Sequence, residues 1–167
     1  IVGSAFKKVY FDPTMQRAVS KFVHSEDLIV PYSATDLATA TRITHCIRMD
    51  KNEIKKLQLS GFYKDIDLPS SGADSDGTND VKDTINDIEG ITSSSSQNEE
   101  MMIYEVHTNL DIEGFEDIGA DGEPTGLKMP YIVTIMEDTG DVLSIKRNFN
   151  ESDPLRRKIP YFVHYKF

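Results

Sequence analysis

Tryptophan is absent and cysteine occurs once, at Cys46, in a chain of 167 residues. One cysteine excludes an internal disulfide and suits a reducing compartment, and no charged n-region followed by an apolar h-region marks a secretory leader. A cytosolic origin is therefore the default expectation. Long apolar runs are missing too: stretches such as Leu28-Ile29-Val30 fall far short of the roughly 18 residues that a membrane-spanning helix needs, so a soluble segment is expected. Bases are scarce, 18 Lys and Arg against 28 Asp and Glu, and a formal net charge of -10 argues against a broad phosphate-binding surface. With 38% hydrophobic residues, a core is possible but lean, and a compact body is expected to use only part of the chain.

The length fits one domain, residues 1–167, with a long insertion. Charge locates that insertion. Asp65 to Glu123 hold 17 of the 28 acids and one base, Lys82, whereas the flanks hold 17 bases and 11 acids and are mildly basic. Pro69 to Asp80 and Ile91 to Glu100 are rich in Ser, Gly, Asp and Asn. They carry too little apolar surface to offset an ordering entropy of about 1 to 2 kcal/mol per residue. A mobile, disordered acidic insertion is expected from about Leu68 to about Asn98, with room for a short amphipathic helix around Val81, Ile85 and Ile88. The chain starts at Ile1 rather than Met and stops at Phe167 inside an apolar-aromatic alternation, which reads as a fragment of a longer chain.

In the flanks, Phe6 to Phe11 reads as a strand ended by Asp12-Pro13, and Lys21 to Pro31 as an apolar run closed by proline. Thr41 to Met49 alternates, with Ile43, His45 and Ile47 on one face and Arg42, Thr44, Cys46 and Arg48 on the other. Asp50 and Glu53 have the spacing of a capping box. Ile54, Leu57 and Gln58 then set one face of a three-turn helix, and Gly61 stands at its C-terminal cap. Met101 to Ile112 alternates as a strand, placing Met102, Tyr104, Val106, Thr108 and Leu110 together. Tyr131 to Met136 and Asp141 to Arg147 flank the polar turn Glu137 to Gly140, a hairpin, and Tyr161 to Phe167 alternates as the final strand. Four or five mostly antiparallel strands with one clear helix make a strand-dominated α+β fold. Aspartate placed at Ile43 or at Ile145 is expected to introduce an uncompensated buried charge.

No catalytic constellation, cofactor site or metal site is announced. His24, His45, His107 and His164 lack the short spacings of a zinc site, and three of them sit inside predicted strands as partly buried polar partners. Asp74, Asp76, Gly77, Asn79 and Asp80 imitate the start of a calcium loop, but Asn79 stands where the loop needs Gly and Ile85 where it needs Glu. Cys46 has Thr44 and Arg48 beside it and His45 on the opposite face, so no base activates it. Lys7-Lys8 and Arg156-Arg157-Lys158 read as salt-bridging edges. Asn150-Glu151-Ser152 matches a glycosylation acceptor that a cytosolic chain would not use.

The order of segments says more than any motif. Tyr32 to Tyr63, the strand with Tyr104-Glu105-Val106-His107, Pro130 to Thr134, Val142 to Asn148 and Tyr161 to Phe167 together resemble the portal proteins of short-tailed double-stranded DNA phages. The resemblance covers nearly the whole chain except the acidic insertion. It implies a subunit of a ring, typically of twelve copies, at one capsid vertex of the virion, assembled in the host cytoplasm, through which DNA is packaged and later ejected. This piece would be the peripheral wing, in contact with other portal subunits and with coat and scaffolding proteins. The parts that meet terminase and DNA would lie outside it. It implies no enzyme, since the packaging ATPase is a separate protein, and no membrane partner. Two other readings remain open: a small binding module of a phage tail or baseplate, and a cation-dependent hydrolase using some of Asp65, Asp67, Asp74, Asp76 and Asp80.

Overall fold

The structure, a computed structural model, describes residues 3–12, 15–69, 100–119 and 121–166. Among them eight strands form two antiparallel sheets, and the fold is α+β and dominated by strands. The smaller sheet has the order β2-β1-β8, from Arg17–Val23, Ser4–Asp12 and Phe162–Lys166. The larger has the order β3-β4-β5-β6-β7, from Leu28–Ile29, Arg42–Asp50, Glu100–Leu110, Met129–Met136 and Val142–Arg147. The sequence foresees four or five strands. The run from Lys21 to Pro31 accounts for much of the difference: it is cut by a 3-10 turn at Ser25–Asp27, which lets Val23 end β2 in one sheet and Leu28 open β3 in the other.

Turn chemistry fixes the β6–β7 hairpin. The Met136 amide donates to the Asp141 carbonyl, the Gly140 amide donates to Met136, and Gly140 sits at φ 72°, a conformation that costs glycine nothing. The one α-helix among the described residues, α1 (Lys51–Leu59), is shorter than the three turns expected. Asp50 occupies the extended N-cap position, yet its carboxylate makes no capping hydrogen bond. The other end follows the expectation: Gly61 at φ 73° donates to Gln58, Phe62 donates to Leu57, and both Phe62 and Leu57 pack on the core. Gln58 is buried because its amide ties down the chain beyond the helix, donating to the Ile66 and Lys64 carbonyls at 2.9 and 3.2 Å.

Two apolar clusters cover opposite ends of one face of the larger sheet. Ile54 of α1 and Tyr63 close on Met101, Ile103, Met136 and Leu143 at one end. Phe162 of β8 and Val23 of β2 close on Leu28, Ala40 and Ile43 at the other. The inward face of β5 therefore carries Met101, Ile103, Glu105 and His107. Met102, Tyr104, Val106 and Thr108, the set that the alternation picks out, lie half-buried on the reverse. Ile43 is buried as expected, at 6% exposure, whereas Ile145 is 52% exposed, so the expectation for Ile145 is corrected. Ile145 pairs with Val133 on the reverse face of the outermost strand, β7, which no strand among the described residues covers. Leu68, where the sequence starts the insertion, packs against the core with Ile66. The rest of the expected insertion, with its candidate helix at Val81, Ile85 and Ile88, lies outside the described residues. No helix among the described residues is long and apolar enough to cross a membrane.

Candidate functional site

Between the two apolar clusters the inward face of the larger sheet is left open, and there the fold forms a cleft of about 780 Å³. Its floor is built from strand residues of matching alternation: His45 on β4, Glu105 on β5, Thr134 on β6, and Ser144 and Lys146 on β7. The Ser144 hydroxyl donates to Thr134 Oγ1 at 3.1 Å, which fixes both on this face. Lys8 and Tyr10 of β1 with Tyr161 make one wall, and Lys56, Leu57 and Phe62, from α1 and the chain just after it, make the other.

The centre of the floor is a charged triplet. Lys8 Nζ donates to Glu105 Oε2 at 2.6 Å, and His107 Nε2 donates to Glu105 Oε1 at 2.7 Å. Both donors are buried, and Glu105 is largely buried between them. Burial alone would push the Glu105 carboxyl up, but the His107 hydrogen bond and the Lys8 ammonium outweigh it and hold it down at about 2. Lys8 also lies 5.0 Å from the Tyr10 ring centroid, so its charge has an aromatic face as well as a carboxylate. Phe162 is seated against both His45 and His107, with ring centroids 5.6 and 5.2 Å away.

Two floor residues carry polar groups without a hydrogen-bond partner among the described residues. His45 Nδ1 is buried without a hydrogen-bond partner, and burial together with the Lys8 charge pushes the imidazole down to about 4, so it is neutral at pH 7. Lys146 is half-buried over the ring of Phe62; it makes no ion pair or hydrogen bond among the described residues, and burial pushes its ammonium down to about 8.

These values give stability a direction with pH. A group whose pKa is lower folded than unfolded contributes stability above its unfolded value and loses it as pH falls toward the folded one. His45 therefore costs stability from about pH 6.5 down to about 4, and Glu105 from about 4.5 down to about 2. Chemical denaturation at pH 7 and pH 4 is expected to differ by about 2 to 4 kcal/mol, with His45 discounted for its partial exposure. The His45→Leu variant should flatten the upper part of the curve. Equal stability at the two pH values would show that neither group is held as described.

The residues singled out in the sequence part company. His45 and His107 meet on one sheet face, one register step apart, since Ile43 pairs with His107 and His45 with Glu105. His164 instead stacks on Phe6 at 4.6 Å and bonds Ser4 Oγ, and His24 meets only the edge of Phe22. Among the described residues no group of three or more His, Cys, Asp or Glu converges as metal ligands. Cys46 lies opposite Tyr104, and burial pushes its thiol up, away from reactivity. Lys7 and Lys8 diverge, Lys8 into the triplet and Lys7 out over Tyr165. Arg156 pairs with Asp117 and Arg157 with Asp153, as expected of a salt-bridging edge, but Lys158 reaches the Leu37 and Ala40 carbonyls. Asn150 caps its own turn through Ser152. Asp65 pairs with Lys55 at the surface, while Asp74, Asp76, Gly77, Asn79 and Asp80 lie outside the described residues.

Glu105 and Lys146 are the functional candidates that sequence reasoning missed. The signal for Glu105 was present: it shares the alternation of Met101, Ile103 and His107, a charge on the apolar side of a central strand. No protein-family model matches this chain, and no curated protein matches it significantly.

Proposed function

We propose that the chain is the peripheral wing module of a phage portal protein, the ring at one capsid vertex through which DNA is packaged and ejected, and that its task is contact rather than catalysis. The observation that carries this reading is an apolar sheet face left in solvent. On the smaller sheet Phe6, Lys8 and Phe162 turn toward the larger one, and the alternate positions form the reverse face: Val9 and Phe11 of β1, Phe22 of β2, and Val163 and Tyr165 of β8. All five are exposed, and Lys7 is the one charge among the paired positions of that face. Contiguous exposed apolar surface of this kind marks an interaction site, and its lack of acids in so acidic a chain suits close packing against a neighbouring subunit. The order of chain segments, which resembles that of portal proteins, supports the same reading.

Negative-stain microscopy of the longer protein that contains this chain tests it. Rings with a central hole are expected, and a uniform monomer at micromolar concentration would overturn the reading. The paired substitution Phe11→Ser and Tyr165→Ser should leave the melting midpoint of the chain nearly unchanged, because both side chains are exposed. It should raise the concentration needed for ring assembly by about tenfold, or about 1.4 kcal/mol per contact. Assembly unaffected by the pair would remove this face from the subunit contact.

A further inference from the structure

The reverse face accounts for contact but leaves the cleft between the sheets without a use, and the cleft has the build of a ligand site. Its volume of about 780 Å³ lies within the range of small-molecule pockets, roughly 300 to 1,000 Å³. Tyr10, Phe62 and Tyr161 offer aromatic surface from opposite walls. The floor is polar, and the charges around the cleft are unequal: with His45 neutral, the cations Lys8, Lys21, Arg48, Lys56 and Lys146 face the carboxylates Asp12, Asp27, Glu53 and Glu105. Glu105 gives one oxygen to Lys8 and the other to His107, and Lys146 feels its charge only from beyond ion-pair distance. Lys146 is thus an ammonium in a half-buried position that opposes its charge, held by an aromatic ring and with no ion-pair partner among the described residues. The fold has no evident need for a cation there, and such costs are characteristic of positions that serve binding.

We propose that this cleft binds a monoanionic ligand with a flat apolar body, its carboxylate received by Lys146 and its body laid between Tyr10, Tyr161 and Phe62. A carboxylate fits better than a phosphate dianion because Glu105 remains ionised on the same floor and the cleft's five cationic side chains exceed its four carboxylates by one. Thr134, on the strand next to Lys146, accepts from Ser144 and keeps its own hydroxyl proton to donate to the ligand. The same chemistry occurs in a free aromatic acid and in an acidic side chain next to an aromatic one on a peptide. The proposal is argued separately from the portal reading, since it rests on the floor around Lys146, although Phe11 and Phe22 of the contact face also line the cleft.

Calorimetric titration of the intact chain with 2-naphthoate, 2-naphthylmethanol and 2-naphthyl phosphate tests it. Saturable binding of the carboxylate is expected, about tenfold or more tighter than that of the isosteric alcohol. Lys146→Met should lose about tenfold or more of that affinity while keeping or raising the melting midpoint, because it removes a charge whose burial is unfavourable; Ser144→Ala serves as a second, milder variant, expected to lose a few-fold. Equal affinity for acid and alcohol, tighter binding of the phosphate, or Lys146→Met binding like the parent would each overturn the proposal. A capped glutamyl-tyrosine dipeptide, titrated alongside, assigns the source: a peptide if it binds tighter than naphthoate, a free acid if it binds weaker.

Discussion

Replacing Glu105 with Gln is expected to cost about 3 to 5 kcal/mol of folding stability, read as a lower urea midpoint at an unchanged slope. The substitution keeps size and shape, so the loss isolates charge. Among the described residues Glu105 is the single acceptor for Lys8 Nζ at 2.6 Å and for His107 Nε2 at 2.7 Å; Lys8 turns inward from the smaller sheet, His107 lies on the larger one, and both are buried. A neutral amide leaves the Lys8 ammonium buried with only the Tyr10 and Phe162 rings near it, 5.0 and 6.0 Å from their centroids, and ring faces do not replace a carboxylate. Lys8→Met should cost a similar amount, by stranding the carboxylate instead. Combining the two should cost much less than their sum, because a buried pair exchanged for neutral groups of similar volume is often close to neutral. Additive losses in the double variant, or a Glu105→Gln effect below about 1 kcal/mol, would show that solvent rather than the triplet stabilises these charges.

The contrast between what could and could not be read in advance follows from the range over which each signal acts. The β6–β7 hairpin and the cap at Gly61 were legible because a turn and a cap are settled by a few adjacent residues: Gly140 and Gly61 both take the positive φ for which they were singled out. The strands β4, β5 and β8 were legible from alternation, but which side of β5 meets the core was not. Both of its faces carry apolar residues, and only pairing with β4 and β6 places Ile103 between Ile47 and Met136. The split of eight strands into two sheets is set by contacts such as Phe162 against Ile43, far apart in the chain. The cleft was least legible of all. Lys8 and Glu105 lie 97 residues apart, and no local spacing announces their bond. What alternation did offer was the anomaly of a lysine between Phe6 and Tyr10 and a glutamate between Ile103 and His107, each on an apolar register; both anomalies turn out to be the two halves of one ion pair.

Aspartate introduced at Ile103 and at Ile145 should separate the two sides of the larger sheet by the widest margin any pair of single substitutions gives here. Ile103 is fully buried, at 0% exposure, and packs with Ile54, Tyr63, Met101, Met136 and Leu143, none of which offers a charge. Ile103→Asp forfeits the burial of a large apolar side chain and strands a carboxyl, for a loss of at least about 4 kcal/mol, with the new carboxyl protonated in whatever folded population survives. Since whole domains are stable by only about 5 to 15 kcal/mol, this variant is expected to unfold or melt far below the parent. Ile103→Ala keeps the comparison measurable, at an expected loss of about 2 to 5 kcal/mol through the cavity it leaves. Ile145 pairs with Val133 on the reverse side and is 52% exposed, so Ile145→Asp should shift stability by about 0.5 kcal/mol or less. Thermal unfolding of the three variants under one buffer decides the matter. A parent-like midpoint for Ile103→Asp, or a collapse for Ile145→Asp, would invert the assignment of the sheet faces and, with it, the side on which Glu105, Lys146 and the cleft are placed.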